Sequence, residues 1–376
     1  SSNIYLCVPM RIAVIHHNED LSNDYAAYLS TLLDNTAEEN GYAVKDYEQL
    51  LRFREPLQGE NVLLHIIILA SGKFSLRHWY NVKLSKIIKK YRLNKVLCNY
   101  GISVNSNISQ LLLVPDEDLL HANKGGLLWK QYASRHLKKN IAKAEMILTY
   151  SIVTENTLKE LTATEKQKIF MLPYTVNELF KPMEWHDKLY IKSRFAENKE
   201  YFVAVLPDDN EKIFTELLKA FSKFKKWQQS NMQLLLLPKE ESFSSRVEDK
   251  LTTYKYRDDV KLINDAENKE TADIIATAYA LLHTPFSDAD LWPVSAALQC
   301  GTPVIGFYTK SMQEYCGKAA ILVNERSHEA FGDELIHLYK DETLRNQVSE
   351  AAVERAQFYQ QKENAVKLWQ LLINQA

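Results

Sequence analysis

A helix start at Trp292-Pro293 is the feature of the sequence that points most directly to chemistry. Pro293 fits the first turn of a helix, where the backbone N–H that proline lacks is not needed. The remaining free N–H groups and the positive end of a helix over 292–299 suit a diphosphate and require no metal ion. The competing interpretation is an ordinary connection between a strand and a helix that binds nothing.

Adjacent histidines follow the first apolar run of the chain. His17 and Asn18 come just after the predicted strand 11–16, so they are expected to face a ligand cleft. Two neighbouring histidines can bind a metal ion or transfer protons, but no third ligand is evident, and we expect no metal site. A polar loop without chemistry is the alternative.

Composition restricts the classes of protein to which the chain can belong. Its 376 residues exceed one ordinary core and predict two domains, and 46% apolar with 25% charged residues is typical of a globular protein. The net charge of -2 provides no overall positive field for nucleic acid. Local basic clusters at 83–95, 138–143 and 223–226 are interpreted as solvated helix faces.

Cysteine spacing and hydropathy indicate the cellular compartment in which the protein is expected. The four cysteines show no CxxC pair, which favours a reducing compartment over a zinc site or a disulfide framework. The longest apolar runs, such as 62–70, have the length of a strand, and residues 1–10 do not resemble a signal peptide. We therefore expect a cytoplasmic protein without a transmembrane segment, for which only peripheral contact with a membrane stays open.

Short apolar runs alternate with amphipathic stretches along the whole chain. This alternation predicts an α/β protein whose parallel strands are covered by helices on both faces. The main predicted strands are 11–16, 43–46, 62–69, 95–99, 111–114, 146–150 and 169–172, and then 201–205, 232–237, 260–263, 280–283, 303–307 and 320–322.

A polar, proline-containing stretch at 180–198 interrupts the alternation, and we interpret it as a linker between domains. The predicted domains are residues 1–182 and 183–359, with a last helix over 360–376 that packs back on the first domain. Each is expected to be a doubly wound, Rossmann-like sheet, and ligands bind beyond the carboxyl ends of such strands. Two such domains predict a ligand cleft between them.

The stretch 283–306 resembles the donor-binding half of family 4 (group 1) glycosyltransferases, which use sugar nucleotides. Its text, HTPFSDADLWPVSAALQCGTPVIG, shares the family's acidic loop, Pro-Val helix start and Cys-Gly-x-Pro-Val segment. Residues 314–323 (EYCGKAAILV) and 168–182 (KIFMLPYTVNELFKP) match two further family passages. The resemblance covers about residues 135–376 and implies the GT-B fold, in which two doubly wound Rossmann-like domains face each other across a cleft.

The resemblance also implies where a sugar nucleotide would bind. Asp288 corresponds to the family's first carboxylate, which approaches the donor sugar, and Lys212 roughly corresponds to the lysine that neutralises the departing diphosphate. His17 and Asn18 are assigned to the acceptor side. The donor-binding positions are Pro207, Lys239, Asn264, Asp290, Leu291, Trp292, Pro293 and Val294.

Two positions depart from the family pattern. Ala296 replaces the second carboxylate, which binds the ribose hydroxyl groups, and an alanine side chain cannot accept a hydrogen bond. Either Asp290 or Ser295 holds the ribose instead, or nucleotide binding is weaker by about one to two decades. Leu206-Pro207 replaces the family's Gly-Arg, so Lys212 would act without that arginine.

The resemblance implies a retaining glycosyltransferase that moves a sugar from a nucleoside diphosphate to a hydroxyl group of a carbohydrate or glycoconjugate, without a metal or other cofactor. The missing carboxylate and arginine keep a second hypothesis open. In it, the chain is a catalytically degenerate relative that binds carbohydrate or serves as a partner subunit of another transferase. A sugar-phosphate epimerase of similar fold is a third hypothesis.

Overall fold

The chain forms two compact units, Ser1–Pro173 with Gln361–Ala376 and Tyr174–Gln360. The divisions predicted from the sequence lie at 182/183 and 359/360. The computed structural model describes residues 10–17, 52–54, 62–69, 82, 84–98, 107–114, 139–162, 168–206, 211–227, 230–238, 241–264, 266–285, 291–359 and 361–373.

The first unit is built on a seven-stranded sheet. The strand order is β2-β3-β1-β4-β5-β6-β7, and every neighbouring pair is parallel except β2 with β3. The central strands are buried on both faces, which explains their nearly continuous apolar sequences. The strands are β1 (Met10–His17), β2 (Arg52–Arg54), β3 (Val62–Leu69), β4 (Lys95–Cys98), β5 (Ser109–Leu113), β6 (Met146–Thr149) and β7 (Lys168–Met171).

Helices cover one face of this sheet in a single hydrophobic cluster. α1 (Leu84–Tyr91), the helical residues 139–143 and α2 (Ile152–Thr162) contribute Leu84, Ile141 and Leu158 to it. These side chains pack on alternate residues of the strands, such as Val96 and Cys98 of β4. The three segments therefore lie on the same side of the sheet.

The second unit contains six strands, all parallel, in the order β10-β9-β8-β11-β12-β13. They are β8 (Tyr201–Leu206), β9 (Gln233–Pro238), β10 (Val260–Leu262), β11 (Ala280–His283), β12 (Val304–Phe307) and β13 (Ala320–Val323). The helices are α3 (Trp185–Phe195), α4 (Glu211–Trp227), α5 (Glu241–Thr252), α6 (Asn268–Thr277), α7 (Trp292–Cys300), α8 (Lys310–Cys316), α9 (His328–Lys340) and α10 (Glu342–Ala356). The last helix of the chain, α11 (Gln361–Ile373), belongs to the first unit.

These two sheets confirm the predicted α/β class with two doubly wound domains. Strand β2 was not predicted, and the predicted strand 43–46 lies outside the described residues. None of the helices within the described ranges has both the length and the apolar character needed to cross a membrane.

The prediction of a linker over 180–198 is wrong, because α3 occupies most of that stretch and packs on α6. Ile191 and Lys192 are its buried residues, and the Lys192 ammonium donates to Glu200. Trp185 remains 66% exposed and Tyr190 63% exposed. Since apolar residues lie on both the buried and the exposed sides of α3, its sequence lacks the periodicity that identifies an amphipathic helix.

Gly301 explains why α7 ends in a Cys-Gly-Thr-Pro segment. Its φ of 68° is left-handed and ends the helix, with its N–H donating to the last turn. The Thr302 hydroxyl then donates to the carbonyl of Ile275 over 2.7 Å, which ties the chain to α6 before β12 begins. A Cβ atom at Gly301 would lie 2.8 Å from Cγ2 of Val353 in α10. Glycine is therefore required by both conformation and space.

The substitution Gly301→Ala is expected to lower the melting temperature of the second unit by several degrees, measured by scanning calorimetry. Left-handed alanine costs roughly 1–2 kcal/mol, and the contact with Val353 adds to this. Adding Val353→Ala should recover only the steric part, because Val353 is 40% exposed and its own loss matters little. A double variant as stable as the wild type would show that the backbone conformation is not strained.

Candidate functional site

The strand order of the second sheet reverses between β8 and β11. These strands are parallel neighbours, with Leu281 opposite Val203, so their carboxyl ends open at the same edge. In doubly wound sheets, ligands bind at the edge where the strand order reverses. The connections from β8 to α4 and from β11 to α7 therefore frame the candidate site.

α7 presents its amino end at this edge without a side-chain cap from any residue in the described ranges. Leu291 is the N-cap residue, and its carbonyl accepts the first helical hydrogen bond from Ser295 N–H over 2.8 Å. The side chains of Leu291, Pro293 and Val294 are buried, so only their backbones can face a ligand. The N–H groups of the first turn thus offer an anion site that needs no charged side chain.

Trp292 fixes the direction in which α7 starts. Its half-buried indole packs edge-to-face on Phe180, with ring centroids 5.8 Å apart and an interplanar angle of 88°. Phe180 is itself buried near the start of the second unit. This aromatic contact gives Trp292 a structural role in addition to any contact with a ligand.

Lys212 lies in the first turn of α4, at the end of the connection from β8. It is exposed, and it forms no ion pair with any residue that the structure describes. Its neighbour Glu211 pairs with Lys250 over 2.7 Å, and this hydrogen bond lowers the pKa of the Glu211 carboxyl. Because a helix start is already electropositive, a lysine there is unfavourable unless an anion lies beside it.

The residues proposed to replace the missing ribose carboxylate are constrained by packing. Ala296 is fully buried in α7. The Ser295 hydroxyl is also buried and donates to the carbonyl of Tyr174 over 3.5 Å, so it is directed at the chain rather than at a ligand. Asp290, the other candidate, lies outside the described residues.

The remaining predicted positions are spread over several connections. Asn264 is exposed just beyond β10, two strands from β8 in the sheet. His17 ends β1, whose backbone pairs with Leu69 at that position, and β1 lies where the order of the first sheet reverses. The positions that lie outside the described residues are Asp288, Pro207, Lys239 and Asn18.

A tyrosine cluster that sequence reasoning missed supports α7 and α8. The Tyr315 hydroxyl donates to the carbonyl of Tyr174 over 2.7 Å, and the Tyr359 ring stacks on Tyr315 at 4.2 Å. Arg355 donates through Nε to the Tyr315 carbonyl over 2.8 Å. Burial raises the pKa of Tyr359 to about 12, so it stays a neutral donor. Tyr174 and Tyr359 are the first and nearly the last residues of the second unit, which no local sequence pattern reveals.

The described part of the chain contains neither a candidate metal site nor a reactive cysteine. No group of three or more potential ligands from His, Cys, Asp and Glu occurs there. Cys300 and Cys316 are free buried thiols, and burial raises the pKa of each to about 12. They are therefore protonated packing residues rather than nucleophiles.

Comparisons with known proteins find a family that part of the chain resembles. Residues 187–355 match the family model described as glycosyl transferases group 1. No curated protein matches the sequence at a significant level.

Solved structures resemble the chain over nearly its whole length. Sucrose-phosphate synthase from Thermosynechococcus elongatus is 17% identical with a TM-score of 0.71, covering 96% of this chain and 98% of that chain. WaaG, a glycosyltransferase involved in lipopolysaccharide biosynthesis, is 13% identical with a TM-score of 0.70, covering 97% and 100%. HepE of Anabaena, solved with UDP and glucose, is 11% identical with a TM-score of 0.69, covering 97% and 100%. At these identities the likeness establishes a shared fold.

The substitution Lys212→Gln is expected to leave the melting temperature of the ligand-free protein unchanged or slightly higher. The lysine opposes the dipole of α4 by about 0.3–1 kcal/mol at most. The matched change Lys250→Gln breaks the pair with Glu211 and should lower the melting temperature instead. If Lys212→Gln were the more destabilising of the two, Lys212 would hold a structural contact and would not be poised for an anion.

Proposed function

We propose that the chain is a divergent member of the group 1 glycosyltransferases of the GT-B fold, whose family model matches residues 187–355, and that it is a retaining transferase of nucleotide sugars. It moves a sugar from a nucleoside diphosphate to a hydroxyl group of a carbohydrate or glycoconjugate. Uridine is the first base to test, because the HepE structure holds UDP and glucose.

The observation that carries the proposal is the convergence of positive groups where the second sheet reverses its order. The start of α7, which no described side chain caps, and the exposed Lys212 of α4 follow two adjacent parallel strands. Both are electropositive, and the carboxylate nearest in sequence, Glu211, already pairs with Lys250. A diphosphate is the kind of anion that such positive groups bind.

In the proposed reaction, the bond between the anomeric carbon and the diphosphate oxygen breaks, and a bond to the acceptor oxygen forms on the same face of the sugar. The acceptor proton passes to an oxygen of the departing diphosphate, so no protein nucleophile is required. Lys212 and the first N–H groups of α7 stabilise the charge that develops on this leaving group. Asp288 orients the sugar by accepting hydrogen bonds from its hydroxyl groups. His17 and Asn18 are proposed to lie on the acceptor side.

The donor nucleotide is proposed to bind without the ribose contact of the family. Ala296 offers no acceptor, and the Ser295 hydroxyl already donates to Tyr174. Asp290 is the remaining candidate for the ribose. We therefore propose that affinity rests mainly on the diphosphate.

We also propose that the reaction needs no metal ion, because backbone N–H groups and a lysine supply the positive charge at the diphosphate. The described cysteines are free and buried, which fits a reducing compartment, and we place the reaction in the cytoplasm.

Calorimetric titration tests binding of the donor. UDP or GDP is expected to bind, and Lys212→Ala should weaken binding by about one to two decades, the effect of losing one charge-assisted hydrogen bond. The matched control is Lys219→Ala, two turns further along α4, where the lysine pairs with Glu216. Its affinity should equal that of the wild type. If no nucleoside diphosphate binds the wild type, the chain is not a nucleotide-sugar enzyme.

Turnover tests the chemistry. With a nucleotide sugar and a panel of acceptors, product formation should be lost in Asp288→Ala and unaffected by EDTA. Proton NMR of the first product should show the donor's anomeric configuration. An inverted product would overturn the retaining mechanism alone. Tight nucleotide binding without turnover would instead favour a binding subunit.

A further inference from the structure

Two basic segments that are far apart in the sequence share one side of the first unit. We propose that this side, the basic face, docks the protein on the surface of an anionic lipid bilayer. The proposal goes beyond the transferase activity and does not depend on it. The basic face consists of six exposed cations: Lys86, Lys89, Lys90, Arg92, Lys139 and Lys143.

The first four cations lie in α1 and the turn after it, and the last two lie in the helical residues 139–143. Leu84 and Ile88 of α1 share one hydrophobic cluster with Ile141, so both helices lie on the same side of the sheet. Lys95, three residues after Arg92, pairs with Glu145, two residues after Lys143, over 3.3 Å. The ends of the two basic segments are therefore neighbours in space.

Within the described part of the chain, the charges of the basic face are not neutralised by carboxylates. None of the six cations forms an ion pair with a residue in the described ranges. The third basic cluster of the sequence, in α4, behaves differently. There Lys223 pairs with Asp333 over 2.6 Å and Lys225 with Asp259 over 2.8 Å. Ion pairs with distant carboxylates thus neutralise two lysines of the third cluster, and Lys225 is buried rather than solvated. The first two clusters have no such pairs within the described ranges and form a concentrated positive field.

Stabilisation of α1 explains only part of this pattern. Cations in the last turn of a helix interact favourably with its dipole, which accounts for Lys89 and Lys90. Lys86 lies in the first turns, where the dipole opposes it. Arg92 has a φ of 51°, a left-handed conformation that glycine or asparagine adopts more easily. Stabilisation of the helix therefore accounts for Lys89 and Lys90 but not for Lys86 or Arg92.

A bilayer fits these residues better than a nucleic acid does. Five of the six cations are lysines, whose flexible stems let single charges reach a broad anionic surface, whereas nucleic-acid sites favour the forked arginine group. Nucleic-acid sites also interleave exposed aromatic rings for base stacking. The one aromatic residue of α1, Tyr91, is half-buried, with the Lys90 ammonium 5.0 Å from its ring centre. The convex outer side of helices, rather than a groove, suits a flat partner.

Vesicle flotation with the full chain tests the proposal. The protein should bind vesicles of equal parts phosphatidylglycerol and phosphatidylcholine but not vesicles of phosphatidylcholine alone. Each cation removed should reduce partitioning about fivefold, so four should reduce it by two to three decades. The test variant combines Lys86→Gln, Lys89→Gln, Lys139→Gln and Lys143→Gln. Raising the salt from about 0.1 to 1 M, which shortens the screening length from about 10 to 3 Å, should release the wild type.

The matched control makes four equal charge changes on exposed lysines of the second unit: Lys226→Gln, Lys269→Gln, Lys310→Gln and Lys318→Gln. It should bind anionic vesicles like the wild type, and equal melting temperatures would show that both variants fold. The proposal is overturned if the wild type ignores anionic vesicles or if both variants lose binding equally. It is also overturned if single-stranded RNA, at equal phosphate concentration, displaces the protein from the vesicles.

Discussion

The parallel pairing of β8 with β11 is the constraint on which the second unit depends. These two strands lie at the centre of the sheet, and the chain runs outwards from them in opposite directions, through β9 and β10 on one side and through β12 and β13 on the other. Both faces of the pair are buried, which favours apolar residues along β8 and β11, and His283 at the end of β11 is the buried polar exception. Because the strands are parallel, the helices that follow them begin at the same edge. One pairing therefore determines both the core and the position of the candidate site.

α7 runs from the candidate site into that core, and its burial limits which side chains it can present to a ligand. Nearly every residue from Pro293 to Cys300 is buried, so the helix contributes backbone rather than side chains at its amino end. A carboxylate at position 296 would have to give up its hydration or reach a ligand, and alanine avoids that cost. The Ser295 and Tyr315 hydroxyl groups instead hold the carbonyl of Tyr174, where the chain enters the unit. The same packing that orients α7 thus directs the Ser295 hydroxyl away from the candidate site.

Local charge, rather than total charge, distinguishes the surfaces of the two units. The chain carries a net charge of -2, and three lysine-rich segments look alike in the sequence. In α4, carboxylates from distant elements neutralise Lys223 and Lys225. In the first unit, sheet topology brings α1 and residues 139–143 together without such carboxylates in the described ranges. Whether a basic segment generates a field depends on which elements pack beside it.

The sequence by itself determined the alternation of strands and helices and the resemblance of the second unit to a known family. Parallel strands that are buried on both faces have continuous apolar sequences, which can be recognised directly. A helix that must end just before a strand is marked by Gly301 and Pro303. The tertiary structure decided what depends on contacts between distant residues. It converted the predicted linker into α3, whose exposed Trp185 and Leu189 conceal any periodicity. It also committed the Ser295 hydroxyl to Tyr174 and brought two basic segments to one face. Such partners are brought together by the packing of distant elements, which no local sequence pattern records.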